Sequence, residues 1–415
     1  MKQLKTVDQL VSWRLCLGCG ACLHACEDKN IKLIDIPDEG LRPTVNTASC
    51  KRCGKCMEVC PGAKVTHQKF NDKSMPQLRR SWGPVLEVWE GYASDPEIRF
   101  RGSSGGLVTA LALFCQKEKQ MAGVLHIGAD PQKAWRNVPV ISRNRSELLA
   151  NSGSRYSPAA PCEMIASVEK ADSPCVFVGK PCDVEALYKL QQVKPKLKDK
   201  VGLSISIFCA GTPSTNGNKA MLEVMGVKPS EVVEIRYRGC GWPGMTTVKH
   251  RDNGQLYQLT YEQSWGQILS NYVPLRCRLC PDGTGEFADI SCGDPWYRDI
   301  EPDEPGQSLI LVRTERGRRL LRDAIDAGYI KLVKAEHEIV ALSQKSLLNK
   351  RRNLWGRLFA MHLMRVPTPH FVGFSLFAGW WKLSVSQQIR SVFGTFYRIV
   401  SRKLNRPSDN CSTGV

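Results

Sequence analysis

Short apolar runs, each bounded by glycine, proline or a charged residue, recur through the middle of the chain and indicate β-strands. The predicted strands are residues 123–129, 175–179, 203–208, 232–237 and 308–313. Runs with helical periodicity lie between them, at residues 107–117, 184–191, 218–225, 262–269 and 316–327. Two further runs, 245–250 and 255–261, are joined through Asp252-Asn253-Gly254, which favours a β-hairpin. The pattern predicts an α+β protein whose main domain is a mixed α/β sheet with helices packed on it.

Two runs of cysteines lie in the first sixty residues, Cys16-x2-Cys19-x2-Cys22-x3-Cys26 and Cys50-x2-Cys53-x2-Cys56-x3-Cys60-Pro61. This is the spacing of bacterial ferredoxins with two 4Fe-4S clusters, in which the fourth cysteine of each run ligates the other cluster. We therefore expect one cluster on Cys16, Cys19, Cys22 and Cys60, and a second on Cys50, Cys53, Cys56 and Cys26. One departure is that Glu27 follows Cys26, where the usual pattern has proline.

Disulfides and zinc are the alternative readings of these cysteines. Disulfides require an oxidising compartment, but residues 1–11 contain neither a continuous apolar stretch nor a small-residue cleavage site. We therefore expect a cytoplasmic protein. Zinc sites usually pair two C-x2-C units a dozen or more residues apart, and three cysteines at successive x2 spacing crowd a single metal ion. Two iron-sulfur clusters are the favoured interpretation.

A glycine-serine string, Arg101-Gly102-Ser103-Ser104-Gly105-Gly106, is followed directly by a predicted helix at residue 107. Glycines let backbone amides approach a ligand, and the positive end of the following helix points at the loop. These properties suit a phosphate, although the string is neither a P-loop nor a dinucleotide fingerprint. An ordinary glycine-rich helix cap is the alternative.

A second polar loop is Asn151-Ser152-Gly153-Ser154-Arg155-Tyr156-Ser157-Pro158. Its arginine could bind a pyrophosphate, and its tyrosine ring could stack on a ligand or form a hydrogen bond. A plain surface turn is the alternative, because the loop is rich in turn-forming residues.

Four more cysteines form a candidate site for a third cluster. Cys182, in Gly179-Lys180-Pro181-Cys182-Asp183, and Cys209 each follow a predicted strand, where α/β sheets place their ligand sites. Cys277-x2-Cys280 needs two further soft ligands, and these two cysteines could supply them. Zinc, a redox dithiol, and buried cysteines that act as small apolar residues stay open as alternatives.

The ordered set of these motifs, with Ala288-Asp-Ile-Ser-Cys-Gly-Asp294 after the last cysteine pair, resembles the coenzyme F420 hydrogenase/dehydrogenase beta-subunit family over roughly residues 10–330. The resemblance implies an iron-sulfur flavoprotein in which FAD passes electrons between clusters and a two-electron acceptor. It also implies a set of residues that line FAD: Arg101, Gly102, Ser103, Ser104, Gly105, Gly106, Asn151, Gly153, Ser154, Arg155, Tyr156 and Lys180.

The cysteine runs and the composition divide the chain into a ferredoxin-type domain at residues 1–70, a polar linker at 71–82, a main domain at 83–335 and a basic, aromatic-rich, helical region at 340–415. The resemblance implies that the main domain binds flavin, and it does not extend to the basic region. The resemblance implies an oxidoreductase that works with a ferredoxin or another redox protein and a small-molecule or coenzyme substrate. The alternative is a non-catalytic electron-transfer subunit that docks on a partner dehydrogenase or hydrogenase. The substrate, the direction of electron flow and any catalytic residue are left unassigned.

The C-terminal region carries most of the chain's positive charge. The formal net charge is +18, and residues 339–408 hold twelve lysines and arginines and no acidic residue. The longest uncharged apolar stretch there, 371–381, is too short to span a bilayer. Basic residues interleaved with aromatics suit an anionic membrane surface or an acidic partner, and the alternative is a tail that packs on its own core. No nucleic-acid-binding motif is present, and nucleic acid is not an expected partner.

Overall fold

The computed structural model describes residues 4–67, 73–300 and 304–408. Its strands are β1 (Ile31–Ile36), β2 (Gly40–Val45), β3 (Lys64–Thr66), β4 (Glu87–Ala93), β5 (Val124–Ala129), β6 (Asn137–Ser142), β7 (Cys175–Gly179), β8 (Val201–Ile207), β9 (Val232–Arg236), β10 (Thr246–His250), β11 (Leu256–Leu259), β12 (Ile290–Gly293), β13 (Ser308–Val312), β14 (Ile330–Lys334) and β15 (His370–Val372).

The α-helices of the described ranges are α1 (Val7–Ser12), α2 (Ala21–Ala25), α3 (Lys55–Glu58), α4 (Pro76–Trp82), α5 (Pro96–Arg101), α6 (Leu107–Glu118), α7 (Arg145–Ala150), α8 (Ile165–Glu169), α9 (Pro181–Val193), α10 (Thr215–Val224), α11 (Leu275–Arg278), α12 (Glu315–Asp326), α13 (Glu338–Ser343), α14 (Lys345–Arg352), α15 (Leu354–Leu363), α16 (Leu376–Trp381) and α17 (Val385–Ser401). Short 3-10 turns lie at Pro161–Met164, Pro195–Lys198, Pro229–Glu231 and Leu269–Tyr272, and a π-helix at Glu262–Ile268.

A mixed sheet forms the centre of the molecule, in the order β14-β4-β13-β12-β8-β7-β5-β6. Strands β12, β8, β7 and β5 run parallel to one another, and the other neighbours pair antiparallel. The parallel strands therefore end at one edge of the sheet, which is where such sheets bind ligands. The five predicted strands and the hairpin of β10 and β11 are confirmed, with ends shifted by at most two residues.

Helices cover both faces of this sheet because successive residues of a buried strand point to opposite sides. Val176 of β7 packs in the core with Leu111 of α6, and its neighbour Phe177 packs in the other core with Leu187 of α9. Complete burial of one such side chain stabilises the fold by about 1.5–3 kcal/mol.

The N-terminal cysteine module, residues 4–67, is packed tightly against the α9 side of the central domain. The Cys162 N–H donates to the Cys19 carbonyl at 3.1 Å. Lys189 of α9 donates from Nζ to the carbonyls of Cys60 at 2.9 Å and Lys64 at 2.7 Å. These contacts attach the module to the body of the protein.

The interpretation of residues 71–82 as a linker is only partly right. Residues 71 and 72 lie outside the described ranges, and Pro76–Trp82 forms helix α4, whose Leu78 and Trp82 are buried. The polar composition of this stretch concealed the helix, since only these two side chains anchor it.

Much of the basic C-terminal region packs on the molecule's own core. Strand β15 pairs in parallel with β3 of the cysteine module. Leu354 and Met361 of α15 and Ile399 of α17 share a core with Leu10 and Leu15 of that module. None of the described helices combines the length and hydropathy needed to cross a membrane.

Candidate functional site

A cleft with a cavity volume of about 310 Å³ opens at the carboxyl edge of the parallel strands. It brings together most of the residues that the resemblance implied, namely Gly102, Ser103, Ser104, Gly106, Asn151, Gly153, Ser154, Arg155, Tyr156, Lys180 and, from the third group of cysteines, Cys209. Arg101 and Gly105 are outside the lining. The Nε atom of Arg101 lies 3.2 Å from Glu97, and the Gly105 N–H donates to Ser308 Oγ at 2.9 Å.

The glycine-serine loop makes a tight turn between α5 and α6 that requires glycine. A Cβ on Gly102 would lie 2.6 Å from the Gly106 Cα, closer than real Cβ atoms come. Gly106 has a φ of 74° and is the N-cap of α6 without a side chain to cap it. The first residues of α6, including Thr109, line the cleft. The positive end of a twelve-residue helix therefore faces this space.

Hydrogen bonds fix the two polar loops to each other and to the sheet. The Ser154 N–H donates to Ser103 Oγ at 2.5 Å. Ser104 Oγ donates to the carbonyl of Gln307 at 2.5 Å, next to β13. The two loops therefore form a single wall of the cleft.

Arg155 and Tyr156 differ in what their side chains do. The Arg155 guanidinium donates to Asn137 Oδ1 at 2.6 Å and to the Ala134 carbonyl at 3.1 Å, so much of its hydrogen-bonding capacity holds this loop in place. The ring of Tyr156 lies against Trp265, with centroids 4.8 Å apart, and both rings line the cleft. Burial raises the pKa of Tyr156.

Lys180 supplies a positive charge at the start of α9. Its Nζ lies 2.7 Å from Asp183 Oδ2, and the same oxygen accepts the Lys180 backbone N–H at 3.0 Å. Burial opposes the charged amine, but the Asp183 carboxylate outweighs it and raises the pKa of Lys180 above its usual range. The lysine stays protonated in the cleft wall.

A cationic and aromatic wall on the other side of the cleft was missed by the sequence reasoning. Arg238 forms a two-pronged ion pair with Asp294, at 2.8 and 2.7 Å. Its guanidinium lies 5.0 Å from the Tyr261 ring centroid and 5.4 Å from that of Trp296. Asp294 belongs to a sequence motif, but its partner Arg238 is 56 positions away. The spacing of residues in the sequence therefore did not predict this ion pair.

His126 of β5 also lines the cleft, as a neutral side chain. Its Nε2 lies 2.7 Å from Ser142 Oγ. Burial lowers the pKa of His126 to about 4, because the charged imidazolium would lose its solvent.

The four cysteines of the third group converge on the wall beside Lys180. The thiols of Cys182, Cys277 and Cys280 all lie within electrostatic range of Cys209. Burial raises the pKa of the Cys209 thiol to about 12 and that of Cys280 to about 11. A backbone hydrogen bond also joins two segments of this site, from the Cys209 N–H to the Gly283 carbonyl at 2.8 Å.

Three cysteines of the first run and the last cysteine of the second run line one small cavity: Cys16, Cys19, Cys22 and Cys60. Burial raises the pKa of the Cys60 thiol to about 11. Cys26, from the first run, packs in the same apolar cluster as Cys56 from the second. Cysteines of the two runs therefore lie close together in both places.

A buried cysteine links the module to the α9 side of the cleft. Cys162 donates its backbone N–H to Cys19, and its thiol donates to the Asp183 carbonyl at 3.7 Å. Asp183 in turn holds Lys180. A few residues at the start of α9 therefore connect three sites: the cavity lined by Cys16, Cys19, Cys22 and Cys60, the third group of cysteines, and the cleft.

Several known proteins are similar to this chain in sequence. The beta subunit of coenzyme F420 hydrogenase from Methanothermobacter thermautotrophicus is 26% identical over 301 residues, which cover 69% of this chain and 99% of that subunit. The coenzyme F420-dependent sulfite reductase of Methanocaldococcus jannaschii is 25% identical over 334 residues, which cover 76% of this chain and 46% of the reductase. The chain thus spans about half the length of that relative.

A solved structure of the F420-reducing NiFe hydrogenase complex from Methanosarcina barkeri contains a chain that matches this one with a TM-score of 0.50 at 20% identity. The match covers 67% of this chain and 95% of that chain, and it shows a shared fold.

Three family models match the sequence. The model described as 4Fe-4S dicluster domain matches residues 15–64. The models for the N-terminal and the C-terminal parts of the coenzyme F420 hydrogenase/dehydrogenase beta subunit match residues 88–166 and 173–338. Because these last two follow each other in order and together cover more than half of the chain, the protein belongs to the coenzyme F420 hydrogenase/dehydrogenase beta-subunit family of iron-sulfur oxidoreductase subunits and carries a 4Fe-4S dicluster domain at its N-terminal end.

Proposed function

We propose that this chain is an oxidoreductase that uses FAD and 4Fe-4S clusters to move electrons between a ferredoxin-like redox protein and a two-electron organic acceptor, in either direction. The observation that carries the proposal is the position of Cys209, which lines the cleft and also belongs to the third group of cysteines. When bound, clusters supply single electrons and FAD supplies pairs, so a shared wall suits exchange between them.

The cleft has the features that an FAD pyrophosphate and ring need. The backbone amide at Gly106 and the positive end of α6 suit the phosphates, because anions bind at helix N-termini. Tyr156 and Trp265 offer apolar ring faces to a flat heterocycle. The volume, about 310 Å³, falls within the range of small-molecule sites.

The cysteines have the chemistry for three 4Fe-4S clusters. Soft thiolates are the ligands that such clusters require. We assign them in three groups of four: Cys16, Cys19, Cys22 and Cys60; Cys26, Cys50, Cys53 and Cys56; and Cys182, Cys209, Cys277 and Cys280. The enclosed cavity lined by the first group supports its assignment directly.

The two-electron acceptor is proposed from the relatives. The hydrogenase beta subunit and the sulfite reductase are both named for coenzyme F420, so a deazaflavin is the first acceptor to test. The alternative function is an electron-transfer beta subunit that converts no substrate alone, and it is favoured by the match to a chain of a hydrogenase complex.

Metal and flavin content of anaerobically purified protein test the cofactors. We expect about twelve iron atoms per chain, as each of the three clusters holds four, together with FAD. Cys277→Ser should lower iron to about eight atoms per chain and leave FAD bound. Cys240→Ser is the control, since that cysteine is exposed and outside the proposed ligand groups. Iron without flavin, or equal iron in both variants, contradicts the proposed cofactor set.

Turnover separates the two functions. The isolated chain is mixed with a reduced artificial donor and a deazaflavin, and acceptor reduction is followed by its absorbance. Turnover by the chain alone supports the oxidoreductase. A chain with its full iron and FAD that turns over only when a hydrogenase or dehydrogenase partner is added supports the electron-transfer role.

A further inference from the structure

Helix α17 buries two polar side chains, together with Ile399, and leaves most of its apolar side chains exposed. Ser391 and Thr395 face the protein and are 3% and 7% exposed, whereas Phe393 and Tyr397 are 64% and 74% exposed. The inward polar atoms are satisfied, since Ser391 Oγ accepts a hydrogen bond from Trp380 Nε1 at 2.9 Å. A helix on a globular protein normally buries its apolar stripe. Helix α17 has the opposite orientation, so its exposed apolar side chains can contact a molecule outside the chain.

The apolar residues form one continuous surface, which we call the outer face. It consists of Trp381, Val385, Ile389, Phe393, Tyr397 and Val400, each more than half exposed. The four-residue steps from 385 to 397 keep these side chains on one side of α17. The seventeen residues of α17 extend for about 25 Å. An exposed apolar surface of this length marks an interaction site.

Positive charge surrounds this surface without any acidic counterpart. Lys382 and Arg390 are exposed between the apolar side chains, and no acidic residue occurs from 339 to 408. Behind α17, burial and the guanidiniums of Arg398 and Arg278 lower the pKa of Arg357 to about 10. None of these five basic groups forms an ion pair within the described residues.

We propose that the outer face docks on the headgroup region of an anionic phospholipid bilayer, with α17 lying in the plane of the membrane. Tryptophan and tyrosine are enriched at membrane interfaces, and basic side chains bind anionic headgroups while neighbouring apolar side chains enter the acyl boundary. The unopposed positive charge favours a lipid surface over a protein partner, whose interface would need a matching concentration of carboxylates. This proposal is independent of the proposed redox function.

Vesicle flotation with the full-length, anaerobically purified protein tests the proposal. The vesicles contain either phosphatidylcholine alone or phosphatidylcholine with phosphatidylglycerol. We expect the wild type to float with the anionic vesicles and to be released as ionic strength rises. The double variant F393S/Y397S should lower the bound fraction at least about ten-fold. The control is V224S/L256S, which removes two apolar side chains of similar exposure, 64% and 57%, elsewhere on the surface.

A second variant, K382E/R390E, tests the charge without removing apolar area. It should also release the protein from anionic vesicles. Iron content and the unfolding temperature show that each variant is folded. A wild type that does not float, or outer-face variants that float like the control, overturns the proposal. A wild-type dimer that F393S/Y397S dissociates, with no vesicle binding, overturns it too and assigns the face to a second copy of this chain.

Discussion

The Nε2 atom of His67 lies 2.6 Å from a carboxylate oxygen of Glu286, and both side chains are almost fully buried. Arg351 of α14 forms an ion pair with the other oxygen of the same carboxylate. One carboxylate of the central domain thus holds a histidine of the cysteine module and an arginine of the C-terminal region. Burial alone would raise the pKa of Glu286, but Arg351 and His67 outweigh it and lower the pKa to about 2.

Glu286→Gln should destabilise the whole molecule, because it removes the negative charge between two buried groups and leaves Arg351 without its ion pair. Removal of one partner of a buried pair costs about 3–5 kcal/mol of unfolding free energy. Glu338→Gln is the control, as that side chain is 63% exposed, and its ion pair should contribute less than about 1 kcal/mol. Urea unfolding measures both variants. Equal urea midpoints for the Glu286→Gln and Glu338→Gln variants would show that Glu286 does not link the three regions.

His126 should make the protein's stability depend on pH. Its pKa is about 4 in the folded chain against 6.5 for a free histidine, so the unfolded chain takes up the proton first as pH falls. The contribution is fully present above pH 6.5 and is lost as pH falls from 6.5 towards 4. The full difference is roughly 3 kcal/mol.

Urea unfolding at pH values between 7.5 and 5 tests this dependence. His126→Asn, whose side chain does not titrate, should flatten the decline in unfolding free energy. His370→Asn is the control because His370 is exposed. A decline of the same slope in the His126 variant and the wild type would show that other groups cause it.

Local patterns predicted the parts of this structure that local forces determine. The apolar run at Cys175–Gly179 became a buried strand because nearly every residue in it faces a core. The string from Gly102 to Gly106 was predicted to be a phosphate loop or an ordinary helix cap. The structure turns there in a geometry that requires glycine, and phosphate binding stays a prediction. The cysteine spacing predicted one cluster on Cys16, Cys19, Cys22 and Cys60. These four residues line one cavity, and the cluster itself stays a prediction.

Contacts between distant segments could not be predicted from the sequence. Arg238 and Asp294 form an ion pair although they are 56 positions apart, and the sequence around either residue does not identify the other as its partner. Strand β15 has only three residues, which are too few to show a periodic pattern. It forms because it can pair with the edge of β3. The basic region was expected to contact an anionic membrane or an acidic partner, or to pack partly on its own core. Much of it packs on the core, and contact with a membrane or an acidic partner stays a prediction.

Gly102→Ala should weaken FAD binding without unfolding the protein. An added Cβ would lie 2.6 Å from the Gly106 Cα, so the loop must shift and move its backbone amides away from the proposed phosphate site. The control is Gly394→Ala in α17, where the nearest atom to an added Cβ is a flexible Arg398 nitrogen at 3.6 Å. That control should gain about 0.5–1 kcal/mol of stability. Flavin retained after gel filtration is the measurement, and equal retention in both variants would place the phosphates elsewhere.

Lys180→Met should slow flavin reduction while FAD stays bound. The ammonium is a fixed positive charge in the cleft wall, and such a charge stabilises an anionic reduced flavin more than the neutral oxidised form. Its loss should lower the two-electron potential by on the order of 30 mV, which corresponds to about 1.4 kcal/mol. Lys180→Arg keeps the charge and should restore most of the potential, whereas a purely structural lysine would give similar potentials in both variants. Stopped-flow reduction and a spectroelectrochemical titration measure the two effects. Unchanged kinetics and potential in Lys180→Met would remove Lys180 from the flavin site and leave it only the ion pair with Asp183, 2.7 Å away.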